Sequence, residues 1–180
     1  TEPDENAVEY YTSSESNNGF EGYLNDYDEK DVIRVPSLTV GSRGNDAITY
    51  YHSEPYIANQ NLTVLIPKQH ISQFAMLFFA TVLYQEKPKY SYGRLMSKEK
   101  TRDSIIKLPV DANGTPDWQF MEDYIKSLHS EPITTTRGAA ESLSLGVDKW
   151  KEFNLSDVCH IDFGNKFDND KMTHDEPSVN

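Results

Sequence analysis

Two stretches of this chain carry residue types suited to reading a polyanion. In Gly41-Ser42-Arg43-Gly44-Asn45, two glycines let the backbone approach a ligand closely. Arg43 and Asn45 are the side-chain types that pair bidentately with guanine and adenine edges. From Glu86 to Lys107, seven bases stand against three acids, with Tyr90 and Tyr92 interleaved. Tyr90, Tyr92 and Arg94 are candidates to lie against a sugar-phosphate backbone, and Lys98, Lys100 and Arg102 to contact phosphates. Asn18, in the Asn18-Gly19 turn signal, joins them as a candidate DNA contact. Each stretch also has a plainer reading: a hairpin turn whose polar residues face water, and a charged helix face that is merely solvated.

Other chemistries find little footing. Cys159, His160, Asp162 and His174 lack an established metal-ligand spacing, and the acids near Asp168 and Asp170 lack the glycine and terminal glutamate of a calcium loop. Asp162-Phe163-Gly164 matches a kinase tripeptide without the phosphate loop or catalytic run that would give it meaning. There is no G-x-x-x-x-G-K, G-x-S-x-G or H-E-x-x-H run, so a complete active site within this chain is not expected.

Charge is distributed unevenly along the 180 residues, whose formal net charge is −12. Residues 1–32 hold ten acids and one base, 33–130 hold nine and eleven, and 131–180 hold ten and five. The middle is thus slightly basic, which suits the counterion displacement behind nucleic-acid affinity. The acidic first 32 residues motivate a competing reading, an interaction module that imitates DNA. The longest apolar-rich run, Ile71 to Tyr84, is too short and too interrupted to span a bilayer. The opening TEPDENAVEY is acidic where a secretory signal would be basic, and it lacks an initiator Met, which reads as a fragment or a processed chain. One Cys suits a reducing, cytoplasmic setting.

Hydrophobic periodicity indicates the elements that must position these residues. The first 30 residues read as a loop-rich, largely solvated arm. From Val32, the runs VIRV, SLTV, AITYY, PYIA and NLTVLI are β-prone and read as strands of one sheet. Gln69 to Gln85 turns helical and is apolar nearly all round, as a buried helix would be. Lys98 to Ser104 reads as a short helix and SIIKLPV as a strand. Thr115 is expected to cap a helix with Pro116 in its first position; Trp118, Met121, Ile125 and Leu128 then form a 3-4-3 stripe, either core packing or a seam for a partner helix. The chain divides at 130 and 148: residues 1–130 form a domain with a connecting helix, 131–148 a linker, and 149–180 the opening of a further unit.

The run KPKYSYGRLMSKEKTRDSIIKLPVDANGTPDWQFMEDYIKSL, Lys87 to Leu128, resembles the end of a target-recognition domain in DNA specificity (S) subunits of type I and related type IIB-like restriction-modification systems. SNNGFEGYL and SLTVGSRGNDAITYYHSEPYIANQNLTVLIPK resemble the middle of such a domain, and WKEFNLSDVCHIDFGNK the opening of the next. The resemblance implies an α+β fold with a twisted, mainly antiparallel sheet, packed helices and a connecting helix. The front of the first domain is missing, so the chain reads as a slice across a repeat boundary or a circularly permuted half-subunit. The resemblance also implies a non-catalytic reader of double-stranded DNA. Its partners would be a modification (methyltransferase) subunit that binds S-adenosylmethionine, a restriction subunit, and a second copy or half-subunit. No cofactor is expected in this chain, and Trp118, Met121, Ile125 and Leu128 become the candidate partner surface.

Overall fold

The structure, a computed structural model, describes residues 4–41, 48–85, 101–129, 145–166 and 172–173. Its β-prone runs form two main sheets instead of one. The first has five strands, β1 (Val8–Tyr11), β2 (Phe20–Leu24), β3 (Val32–Ile33), β6 (Tyr56–Ala58) and β11 (Met172–Thr173), in the order β11-β2-β1-β6-β3. The second, wholly antiparallel, holds β4 (Ser37–Gly41), β5 (Thr49–His52), β7 (Leu62–Pro67) and β10 (Cys159–Phe163) in the order β10-β7-β4-β5. A two-stranded ribbon pairs β8 (Ile105–Leu108) with β9 (Lys151–Asn154). With the helices below, this is the α+β architecture expected from the sequence.

The acidic opening is not a solvated arm. In β1, Val8 and Tyr10 are buried while Glu9 and Tyr11 are less so, the period-2 alternation of a half-buried strand. Leu24 of β2 is fully buried beside them. Glu9 and Glu21 occupy outward positions of the strand pair and Glu15 its connection, which hides it from composition.

Helix α1 (Gln73–Gln85) starts where the Ser72 hydroxyl accepts from the Ala75 N–H at 3.2 Å, an N-cap that ends the preceding extended segment. Ala75, Met76, Phe78, Phe79 and Leu83 sink into a core shared with Leu38, Val40 and Leu65 of the second sheet. Contrary to an all-round buried helix, Leu77 and Tyr84 are more than two-fifths exposed, because no described element covers that edge of α1. Helix α2 (Trp118–His129) packs across α1 through Phe78 against Tyr124 and Phe79 against Trp118, both with ring centroids 5.7 Å apart. Its cap is Asp117, whose Oδ1 accepts from the Phe120 N–H at 2.9 Å, and not Thr115. Thr115 donates to Asp111 at 2.9 Å to close the preceding turn, and Pro116 bridges Val110 instead of opening the helix. Of the Lys98 to Ser104 segment, residues 101–104 are described, and Thr101 and Arg102 form a helical turn.

Residues 151–166 join the fold built by their predecessors. β9 pairs with β8, the short helix α3 (Leu155–Val158) buries Leu155 in the main core, and β10 pairs along β7. Just past β10, Gly164 and Asn165 pass under the turn that joins β6 to β7. A Cβ at Gly164 would lie 2.0 Å from the Asn59 carbonyl oxygen and 2.4 Å from that of Ala58, so only glycine fits. Gly164→Ala is expected to destabilise the chain by about 1–3 kcal/mol through backbone displacement, read as a lower urea midpoint.

Between the sheets lies a polar seam. Thr39 and His52 Nε2 share a hydrogen bond of 2.8 Å, as do Ser37 and the Tyr56 hydroxyl, while the His52 ring stacks on Tyr56 at 4.0 Å and meets Tyr11 edge-on at 4.4 Å. Burial drives the His52 imidazole down from 6.5 to about 4. The unfolded chain therefore takes up this proton near pH 6.5, while the folded chain resists until about 4. Between these values the unfolded state binds more protons, so stability falls with falling pH, by at most about 1.4 kcal/mol per unit for this group. Urea unfolding from pH 7 down to 4 should show the decline, and His52→Gln should remove this residue's share of the slope.

Candidate nucleic-acid interface

The turn Ser16–Gly19 sits against β5 and presents Asn18. Asn17 and Asn18 both have left-handed backbones, φ/ψ 49/38° and 53/31°, which asparagine tolerates better than most side chains. Gly19, at φ +81°, completes the turn; a Cβ there would lie 2.7 Å from the Thr12 oxygen and 3.1 Å from the Tyr50 ring. Its absence lets the turn press onto Tyr50, whose hydroxyl donates to the Ser14 carbonyl at 3.3 Å. Asn18 is itself exposed. It stands on the wall of a groove of about 590 Å³ that runs between this turn, β5 and α1, with Tyr50, Tyr51 and Tyr84 among its lining. Burial raises the Tyr50 and Tyr51 pKa above 10, so their hydroxyls stay protonated at neutral pH.

Of the candidate DNA-contact set, Asn18 is the one the structure places on the groove. The β4–β5 connection, which carries Arg43 and Asn45, lies outside the described residues; its two ends are clamped by the Gly41 N–H donating to the Ile48 carbonyl at 2.9 Å. Tyr50, which lines the same groove as Asn18, is three residues beyond that connection. Tyr90, Tyr92, Arg94, Lys98 and Lys100 also lie outside the described residues. Arg102 is exposed, anchored by its buried neighbour Thr101.

The stripe on α2 divides. Met121 is fully buried against α1, and Trp118 and Ile125 are half-buried on the same core, so these side chains are engaged within the chain. Leu128 is 60% exposed and is the stripe's outward member. The groove tyrosines went unremarked in the sequence, although the density of aromatic residues in AITYYHSEPY was a signal for them.

Of the candidate metal ligands, Cys159 points into the core while His160 and Asp162 are exposed on the other side of β10, and His174 lies outside the described residues. Burial pushes the Cys159 thiol up to about 12, leaving it an unreactive core residue. Among the described residues no group of three His, Cys, Asp or Glu converges, and no helix is long and apolar enough to cross a membrane.

Comparison with known proteins supplies the context for this geometry. A family model described as "Type I restriction modification DNA specificity domain" matches residues 2–135. The chain is also similar to the "Type II restriction enzyme BgcI specificity subunit S.BcgI" of Heyndrickxia coagulans, with 27% identity over 130 residues, covering 72% of this chain and 38% of that protein. The chain therefore spans well under half the length of this relative. No solved structure matches it. The resemblance read in the YGR, IKLP and D-W-x-F-M segments is borne out, and with most of its length matched by the family model, this chain belongs to the type I restriction modification DNA specificity domain family.

Proposed function

We propose that this chain reads one part of a double-stranded DNA target and brings a methyltransferase (modification) subunit and a restriction subunit to it. The observation that carries this is the family match across residues 2–135, which includes both the Arg43–Asn45 connection and the basic stretch. Recognition would be the work of this chain, and catalysis with S-adenosylmethionine the work of its partners, in the cytoplasm. Arg43 and Asn45 read bases, Asn18 supports them from the adjacent turn, and Tyr90, Tyr92, Arg94, Lys98, Lys100 and Arg102 hold the backbone. The outward end of α2 at Leu128 is where a modification subunit or a second copy would seat. The pairing of β10 with β7 supports a further part of this reading: residues 149–166 complete the same recognition unit in permuted order.

Described residues 4–34 hold nine acids, and their two cations, Lys30 and Arg34, are paired with Asp28 and Glu29. Such an acidic segment repels phosphate, which favours assigning the DNA contacts to Arg43, Asn45 and the basic stretch instead. Selection from a randomised duplex pool, with the chain purified together with its modification subunit, tests the assignment at two salt concentrations. A short motif should emerge, with affinity falling as salt rises. Arg43→Ala should relax choice at one base by about 1–3 kcal/mol, whereas Arg94→Ala and Lys98→Ala should each weaken all sequences and lower the salt slope by about 1. An unchanged motif in Arg43→Ala would reject the loop as the reader; no enrichment at either salt would reject DNA reading by this complex.

A further inference from the structure

Four consecutive residues of β5, Thr49 to His52, line the Asn18 groove. Successive side chains of a strand point to opposite faces of its sheet. A cleft that touches all four therefore lies along the strand's edge and not over one face. β5 is an edge strand: among the described residues its sheet continues only on the β4 side. The register indicates which backbone groups look outward. The Gly41 N–H bonds the Ile48 carbonyl, and the pairs then alternate, so Thr39/Tyr50 and Ser37/His52 exchange ladder bonds while Leu38/Tyr51 does not. The N–H and C=O of Tyr51 accordingly point away from β4, into the groove.

The walls say what could use them. On one side stand Leu77, Tyr84 and Ile125 of the two helices, and on the other Tyr11 and Asn18. A walled cleft the length of a four-residue strand, about 14 Å, admits an isolated extended backbone but not the edge of a second folded sheet. Among the described residues, no Lys or Arg lines it. The exposed carboxylates of Glu15 and Glu54 stand near enough to Tyr50 and Tyr51 to act on their hydroxyls. Those two carboxylates, beside the groove, attract a cation.

We propose that the groove along β5 accepts an extended, lysine- or arginine-bearing peptide segment of a partner protein as an added strand. Main-chain bonds at Tyr51 would hold it, apolar alternate side chains would rest on Leu77 and Tyr84, and cationic ends would meet Glu15 and Glu54. The contact is made by the backbone edge of β5, whereas base reading is proposed for Arg43 and Asn45; Asn18 borders both.

The test uses the 180-residue chain and a fluorescent heptapeptide of alternating valine and threonine with a lysine at each end, followed by anisotropy. Two further versions carry N-methyl groups on alternate amides in complementary patterns. The parent peptide should bind saturably, one methylated version should bind like it, and the other should lose about tenfold or more, since one edge alone of the peptide bonds to β5. Joint Glu15→Lys and Glu54→Lys, both at exposed positions, should shift preference from lysine-ended to glutamate-ended peptide. Tyr51→Pro, which removes an outward donor from an edge strand, should weaken binding, and the methylated peptides keep the test decisive if that variant fails to fold. Equal behaviour of the two methylated versions, no saturation by the parent, or displacement of the peptide by single-stranded oligothymidine with equal potency would overturn the proposal.

Discussion

Asn59 is the corner on which both main sheets turn. Its N–H donates to the Tyr11 carbonyl at 2.9 Å, tying the end of β6 to β1, and its side-chain amide donates to the Tyr10 hydroxyl at 2.5 Å. Its side-chain oxygen accepts from the Asn61 N–H and its carbonyl from that of Leu62, both at 2.9 Å, which folds the chain back into β7. The segment after β10 then closes the corner: Gly164 N–H donates to Leu62 and Asn165 N–H to Ala58, while the Asn165 side chain reaches Asp31 at 2.7 Å. One turn thus fixes where the sheets separate, and every strand that frames the groove takes its position from it.

The two faces of the second sheet have different jobs because of that corner. One face, with Leu38, Val40 and Leu65, receives the helices and forms the main apolar core. The other meets the first sheet through Tyr56, Ala58, Leu62 and Val64, with the Thr39–His52 and Ser37–Tyr56 pairs set among them. Buried polar pairs of this kind add little net stability but are costly to misalign, so they specify register between sheets that apolar contacts alone would leave loose. Register matters here because a one-residue slip of β5 would exchange Tyr50 for Tyr51 on the inner face.

Much of this was legible in the residues. SLTV, PYIA and NLTVLI are strands where their β-branched runs place them, and both long helices follow their apolar spacing. The first sheet was not legible, because Val8-Glu9-Tyr10 and Phe20 to Leu24 are too short and too embedded among acids for composition to distinguish them from loop. Beyond their pairing with each other, they are flanked by the distant strands β6 and β11, which no local window contains. The cap of α2 was misplaced by two residues because Thr115 and Asp117 are both good capping types, and the choice fell to Asp111, which engages the threonine. The α2 stripe carried the opposite ambiguity: its spacing marked an apolar face correctly but held nothing to say that α1 would cover Met121.

The pairing of β10 with β7 joins Cys159 to Pro67 and Phe163 to Thr63, contacts between parts of the chain synthesised far apart in time. Until the later strand emerges from the ribosome, β7 carries an open flank in the middle of an apolar sheet, the kind of surface that recruits other nascent chains. Loops of this length also slow the final closure step relative to the helical hairpin of α1 and α2, which forms from near neighbours. The interval between making β7 and making β10 is therefore the stage of synthesis at which this domain exposes that flank.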